Sequence, residues 1–218
     1  MMHSVFILGD SYSTFAGCIP QGYPSYYSPA DLAGTGVISP AQTWWQPILA
    51  RHRCRLVCNC SYSGSTICNT GYAGQDYSDI SFVGRLTQWV SRGGFTENTV
   101  DTVFIFGGTN DTWAGSPIGE AAPEEMPNLY AVFPACNALL HMLRENLPKA
   151  QMFWILEPAV SGQVAEAVLD ACGKYGVQAI RLKSVEKING HPTAKGMASI
   201  SDQVEACLEK NTPKEGEI

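Results

Sequence analysis

Three runs of the chain, Val5-Phe6-Ile7-Leu8, Val103-Phe104-Ile105-Phe106 and Met152-Phe153-Trp154-Ile155-Leu156, are apolar at every position. This pattern constrains the fold more than any other feature. A strand with one wet face alternates apolar and polar residues, so unbroken runs demand cover on both faces, as in parallel sheets. Parallel neighbours need a crossover segment, usually a helix, and helical patterns stand between these runs. Ser39-Pro40, an N-cap with proline at the first helical position, predicts a helix running to about Arg51. Ser81 to Arg92 places Phe82, Leu86, Trp89 and Val90 on one side and stops at Gly93-Gly94. Further helices are predicted for Leu129 to Leu147, with Pro134 in the first turns, for Ser161 to Tyr175 and for Thr193 to Lys210. Arg55 to Asn59 and Val177 to Leu182 complete the strands. The prediction is an α/β protein in which residues 1–218 form one domain, with a frayed charged tail beyond Lys210.

At 45% hydrophobic and 16% charged residues, 218 residues can bury a substantial core. A net charge of −6, with basic residues scattered, argues against nucleic-acid or membrane partners, which need clustered Lys and Arg. The first strand begins so close to Met1 that no room is left ahead of it for a cleavable signal, so a cytoplasmic location is expected. The eight cysteines then read as thiols in a reducing compartment. A zinc site at Cys54, Cys58, Cys60 and Cys68 is disfavoured, since the spacing lacks C-x2-C pairs and no His is suitably placed.

Ligands of open parallel sheets bind at the carboxyl ends of the strands. Three strands here end in small polar segments: Gly9-Asp10-Ser11, Cys60 to Thr66, and Gly107 to Asp111. Gly9 is expected to let the chain turn sharply. Ser11 is a candidate nucleophile, and a free hydroxyl needs a base to attack. His191, just before the last predicted helix, is the natural one. An oxyanion requires donors, and the Asn110 amide, the Gly64 N–H and the Ser11 N–H are available. Asp10 and Asp111 are either a paired acid/base set lining the substrate or acceptors that hold their loops. Tyr12, Trp113 and the other tyrosines near Ser11 are candidate lining residues. The irregular segment from Tyr12 to Pro40 is long enough to be functional or mobile. Residues 114–127 read as a polar insertion.

Taken in order, Gly9-Asp10-Ser11, Gly64, Gly108-Thr109-Asn110-Asp111 and His191-Pro192 resemble the blocks of the SGNH, or GDSL-like, hydrolase family. Asn59 to Ile67 and Thr43-Trp44-Trp45 are similar to uncharacterised intestinal-bacterial members. The resemblance implies a three-layer α/β/α sandwich with a five-stranded parallel sheet in the flavodoxin-like order 2-1-3-4-5. It also implies a serine esterase without cofactor or metal, acting on a small-molecule ester. Ser11 would be the nucleophile, His191 the base, and Ser11, Gly64 and Asn110 the oxyanion hole. The family usually places an aspartate three residues before the histidine, where this chain has Ile188. Glu186 is the expected acid if a slightly longer turn lets it reach the ring; a Ser–His dyad resting on a backbone carbonyl is the alternative. A small acyl group, acetyl on a carbohydrate, is the expected substrate. A thioesterase, a non-catalytic binding domain of the same fold and a metal-dependent hydrolase are the other readings.

Overall fold

The computed structural model describes residues 2–120 and 127–211. The middle of the 114–127 insertion and the tail from 212 onward lie outside the described residues. The apolar runs form one parallel sheet of β1 (Ser4–Gly9), β2 (Arg55–Ser61), β3 (Thr102–Phe106), β4 (Gln151–Leu156) and β5 (Gln178–Arg181). Its order is β2-β1-β3-β4-β5. Every residue of β1 and β3 is buried. On one face Phe6, Leu8, Val103, Ile105 and Trp154 join a core with α2 (Phe82–Ser91), α4 (Val132–Asn146) and α5 (Gly162–Tyr175). On the other, Val5, Ile7, Phe104, Phe106 and Ile155 pack with α1 (Trp45–His52) and α6 (Ala194–Asn211). Burying one such side chain stabilises by roughly 1.5–3 kcal/mol, so strands apolar on both sides are stable only between two helical layers. The result is the expected α/β/α sandwich.

Strand β1 is flanked by β2 on one side and β3 on the other, so the winding direction reverses there. Such a reversal opens a crevice beyond the carboxyl ends of the strands on either side of it, which is where Gly9-Asp10-Ser11 leaves the sheet.

Four local expectations change. The helix foreseen from Pro40 is a single 3-10 turn, Pro40–Gln42, and α1 begins only at Trp45. Pro47 explains this: its ring would meet the carbonyl four residues back, at Thr43, so no continuous helix can pass through that point. Gly107 to Asp111 is not all loop, because α3 (Thr109–Ala114) begins inside it. The helix expected from Leu129 starts at Val132, with Pro134 in its first turn, where the missing N–H is tolerated. Between β5 and α6 lies an unanticipated two-stranded hairpin, β6 (Lys187–Ile188) and β7 (His191–Pro192). The segment from Tyr12 to Pro40, although irregular, is packed, with Tyr27 and Val37 fully buried.

Candidate active site

The β1 strand delivers Ser11 into a short 3-10 turn, Ser11–Ser13, capped by Asp10, whose carboxylate accepts the Tyr12 N–H at 3.0 Å. Gly9 ends the extended strand, and the chain turns just after it. A Cβ at Gly9 would lie 2.6 Å from Ser13 Oγ and 2.8 Å from Ser61 Oγ. The absent side chain lets the first turn after β1 close against the end of β2.

His191 comes to Ser11 from 180 residues away, its Nε2 3.0 Å from Ser11 Oγ. The β6–β7 hairpin holds it there. Asn189 (φ 49°) and Gly190 (φ 79°) are both left-handed, the requirement of a two-residue type I′ turn, for which Asn-Gly is the preferred pair. Tyr12 Oη donates to the Gly190 carbonyl at 2.5 Å and Tyr27 Oη to the Pro192 carbonyl at 3.0 Å, so two buried tyrosines clamp the hairpin to the segment that follows Ser11. Lys187 forms an ion pair with the buried Glu157 at the end of β4 and lies over the Tyr12 ring. His191 Nδ1 is 3.1 Å from the Asn189 carbonyl. A carbonyl can only accept, so Nδ1 carries the proton and Nε2 presents its lone pair to Ser11. Burial holds the His191 pKa below its ordinary 6.5; the Asn189 carbonyl opposes this and the Lys187 ammonium adds to it. The ring is therefore mainly neutral at pH 7.

Glu186 does not reach the ring. Its carboxylate accepts from Thr193 Oγ1 at 2.7 Å and pairs with Lys195 Nζ at 3.1 Å. The tight turn keeps the hairpin short, so the ring nitrogen distal to Ser11 meets the Asn189 carbonyl instead.

After β2 the chain makes a turn, Ser65 N–H to Tyr62 carbonyl at 3.2 Å, with Gly64 left-handed at its third position (φ 85°). Such a type II turn favours glycine. Among the described residues, neither the Gly64 nor the Ser11 backbone N–H has a hydrogen-bond acceptor. Asn110, in the first turn of α3, donates from Nδ2 to the Ser65 carbonyl at 3.0 Å and lies 3.4 Å from Asp10 Oδ2. Tyr72 Oη donates to Asn110 Oδ1 at 2.6 Å, which fixes the amide's orientation.

Of the four expected lining residues, three are interior. Asp10, Asp111 and Tyr12 are each 1% exposed. Asp111 accepts the Ile67 N–H at 2.9 Å and so ties the loop after β2 to α3. Burial raises the Asp10 pKa to about 7 and that of Asp111 to about 6, but both carboxyls are spent on backbone N–H groups and hold loops. Trp113 is the exposed member, 6.1 Å from the His191 ring. Among the described residues, no group of three or more His, Cys, Asp or Glu is placed to hold a metal, Cys54, Cys58, Cys60 and Cys68 included.

Sequence reasoning missed two residues at this site. Arg85, within α2, is fully buried and donates to the Gly9 carbonyl, the Ser65 hydroxyl and the Cys60 and Ile80 carbonyls. It thereby links β1 to the Gly64 loop. Tyr72 acts on Asn110, and nothing local in the sequence marks it. Tyr26, one of the tyrosines near Ser11 expected to line the site, lies flat on His191. Asn189-Gly190 was the one overlooked signal, a hairpin turn visible in two letters.

The sequence model of the GDSL-like lipase/acylhydrolase family matches residues 3–208. A GDSL-like lipase candidate from Bacteroides ovatus has a crystal structure 38% identical in sequence, with a TM-score of 0.86 over 97% of this chain and 100% of its own. Another, from Bacteroides uniformis, is 37% identical, with a TM-score of 0.85 over 96% of each chain. A carbohydrate acetylesterase from Sinorhizobium meliloti shares the fold at 15% identity, with a TM-score of 0.58 over 95% of this chain and 99% of its own. No functionally curated protein matches the chain in sequence.

Proposed function

The chain belongs to the GDSL-like lipase/acylhydrolase family and is an ester-hydrolysing enzyme, and from that premise we propose that it is a Ser11–His191 esterase releasing a small acyl group, acetyl from a carbohydrate. The reading rests on one observation above all. Ser11 Oγ and His191 Nε2 are 3.0 Å apart while Nδ1 faces a carbonyl, so the lone pair lies on the nitrogen that a general base needs. In the proposed reaction Nε2 takes the Ser11 proton as Oγ attacks the ester carbonyl carbon. The developing oxyanion is stabilised by the Ser11 and Gly64 N–H groups, which have no acceptor among the described residues, and by the Asn110 amide. The imidazolium then protonates the leaving alcohol, and a water molecule, deprotonated by the same ring, releases the acid.

Small polar loops frame Ser11, and the exposed Trp113 offers a ring surface for a sugar. The same fold serves a carbohydrate acetylesterase. The cytoplasm is the proposed compartment, because Cys18, Cys54, Cys58, Cys60, Cys68, Cys136 and Cys172 are thiols, which reducing conditions preserve. The test is a panel of short-chain aryl esters and acetylated sugars, with fluorophosphonate labelling alongside. Wild type should hydrolyse acetyl esters and label at Ser11, and Ser11→Ala should do neither. Full activity in Ser11→Ala refutes the mechanism; preference for long acyl chains refutes the substrate.

A further inference from the structure

A carboxylate on Nδ1 both orients a catalytic imidazole and stabilises the imidazolium formed during the reaction. Neither carboxylate of the hairpin region does so here. Glu186 is held by Thr193 and Lys195, and Glu157 by Lys187 and the Ala159 N–H at 2.8 Å. The Asn189 carbonyl is a single neutral acceptor, only two residues before the ring it would orient.

Three aromatic rings surround the imidazole. Tyr12 and Trp113 meet it at steep angles, with centroids 5.6 and 6.1 Å away. Tyr26 lies flat against it, with centroids 3.5 Å apart and planes within 7°. Tyr26 is also registered to the nucleophile. Its N–H donates to Thr14 Oγ1 at 2.9 Å, and that hydroxyl donates to the Ser11 carbonyl at 2.9 Å. The ring that covers His191 and the serine that His191 must deprotonate are thus fastened to each other through one threonine.

We propose that Tyr26 is the positioning residue that takes the place of the missing acid, its ring fixing the plane of His191 and its π face stabilising the imidazolium. The proposal rests on the Ser11–His191 reading. A parallel ring blocks rotation out of the Ser11 line, and a desolvated cation on an aromatic face is stabilised without a formal counter-charge. The hydroxyl of Tyr26 has no part in this, so phenylalanine should serve as well.

The test is steady-state hydrolysis of an aryl acetate across pH by wild type, Tyr26→Ala, Tyr26→Leu, Tyr26→Phe and Ser11→Ala, each checked for folding. Tyr26→Ala should lower kcat by about tenfold or more while KM changes little, and Tyr26→Phe should restore most of it. The acid limb of kcat/KM should move to lower pH in Tyr26→Leu, which keeps the imidazole covered but removes the aromatic face that stabilises its charged form; a limb that stays in place or moves to higher pH overturns the π-face role. Tyr26→Leu keeps the bulk without the π face and should resemble Tyr26→Ala, and it decides the question if the alanine variant does not fold. Unchanged kcat in both, a loss confined to KM, or equal damage in Tyr26→Phe overturns the role of Tyr26 and leaves the Ser11–His191 reading intact. Turnover surviving in Ser11→Ala overturns the reading itself.

Discussion

Replacing Arg85 with methionine probes how β1 and the Gly64 loop are kept together. The buried guanidinium donates to the Ile80 carbonyl at 2.8 Å, the Ser65 hydroxyl at 2.9 Å, the Gly9 carbonyl at 3.0 Å and the Cys60 carbonyl. Hydrogen bonds to a charged group contribute about 1.5–3 kcal/mol each, a gross effect of about 6–12 kcal/mol for four. Against this stands the desolvation of the ion, several kcal/mol even after relaxation; burial accordingly lowers the Arg85 pKa. Methionine removes both terms while filling much of the same space. Gly9 keeps a second donor, the Tyr62 N–H at 3.1 Å, and the Ser65 hydroxyl can rotate. The Ile80 and Cys60 carbonyls lose their side-chain donor, at about 1–3 kcal/mol each. The expected net loss is about 3 kcal/mol, which for a chain of this length is a fall in Tm of about 6–12 °C. Thermal unfolding followed by circular dichroism measures it directly. Arg85→Lys keeps the charge but cannot span four acceptors, and should be no more stable than the methionine variant. An unchanged or raised Tm for Arg85→Met would mean that desolvation outweighs the hydrogen bonds, and the reasoning above would fail.

Asn110→Ala removes the proposed side-chain oxyanion donor and should lower kcat on an aryl acetate about 100- to 1000-fold with little effect on KM; a loss below tenfold would refute that role. In the proposed mechanism the base is the neutral His191 imidazole, whose pKa is depressed, so kcat/KM should hold its plateau through pH 7 and fall only below pH 6.5, as the ring gains a proton. Lys187→Met deletes a cation that disfavours the imidazolium, so the acid midpoint should rise; a pH–rate profile in which it drops contradicts the assignment. Glu186→Ala breaks only an exposed contact with Lys195 and a hydroxyl bond, and turnover should stay within about twofold of wild type. A much larger loss, with a shifted pH profile, would return Glu186 to the role of acid.

What the residues alone determine here is whatever depends on local pattern. Unbroken apolar runs mark β1, β3 and β4 to within about a residue, because burial on both faces leaves no other use for such runs. The α2 and α5 boundaries follow from Ser81 and Ser161, whose hydroxyls accept the Gly84 and Val164 N–H groups. Ser11, Gly64, Asn110 and His191 stand out because each ends or precedes a regular element in a fixed order. Tertiary structure alone decides what those residues touch. Arg85 lies in a helical pattern whose polar positions normally face water, yet the edge strand β2 and the last residue of β1 supply acceptors that draw it inward. Glu186 is five letters from His191 and does not reach its ring, whereas Tyr26 is 165 letters away and lies flat upon it. Hydrogen bonds and ring contacts depend on separations of a few ångströms in space, and separation along the chain ceases to measure that once crossovers and a tight hairpin have folded its two ends together.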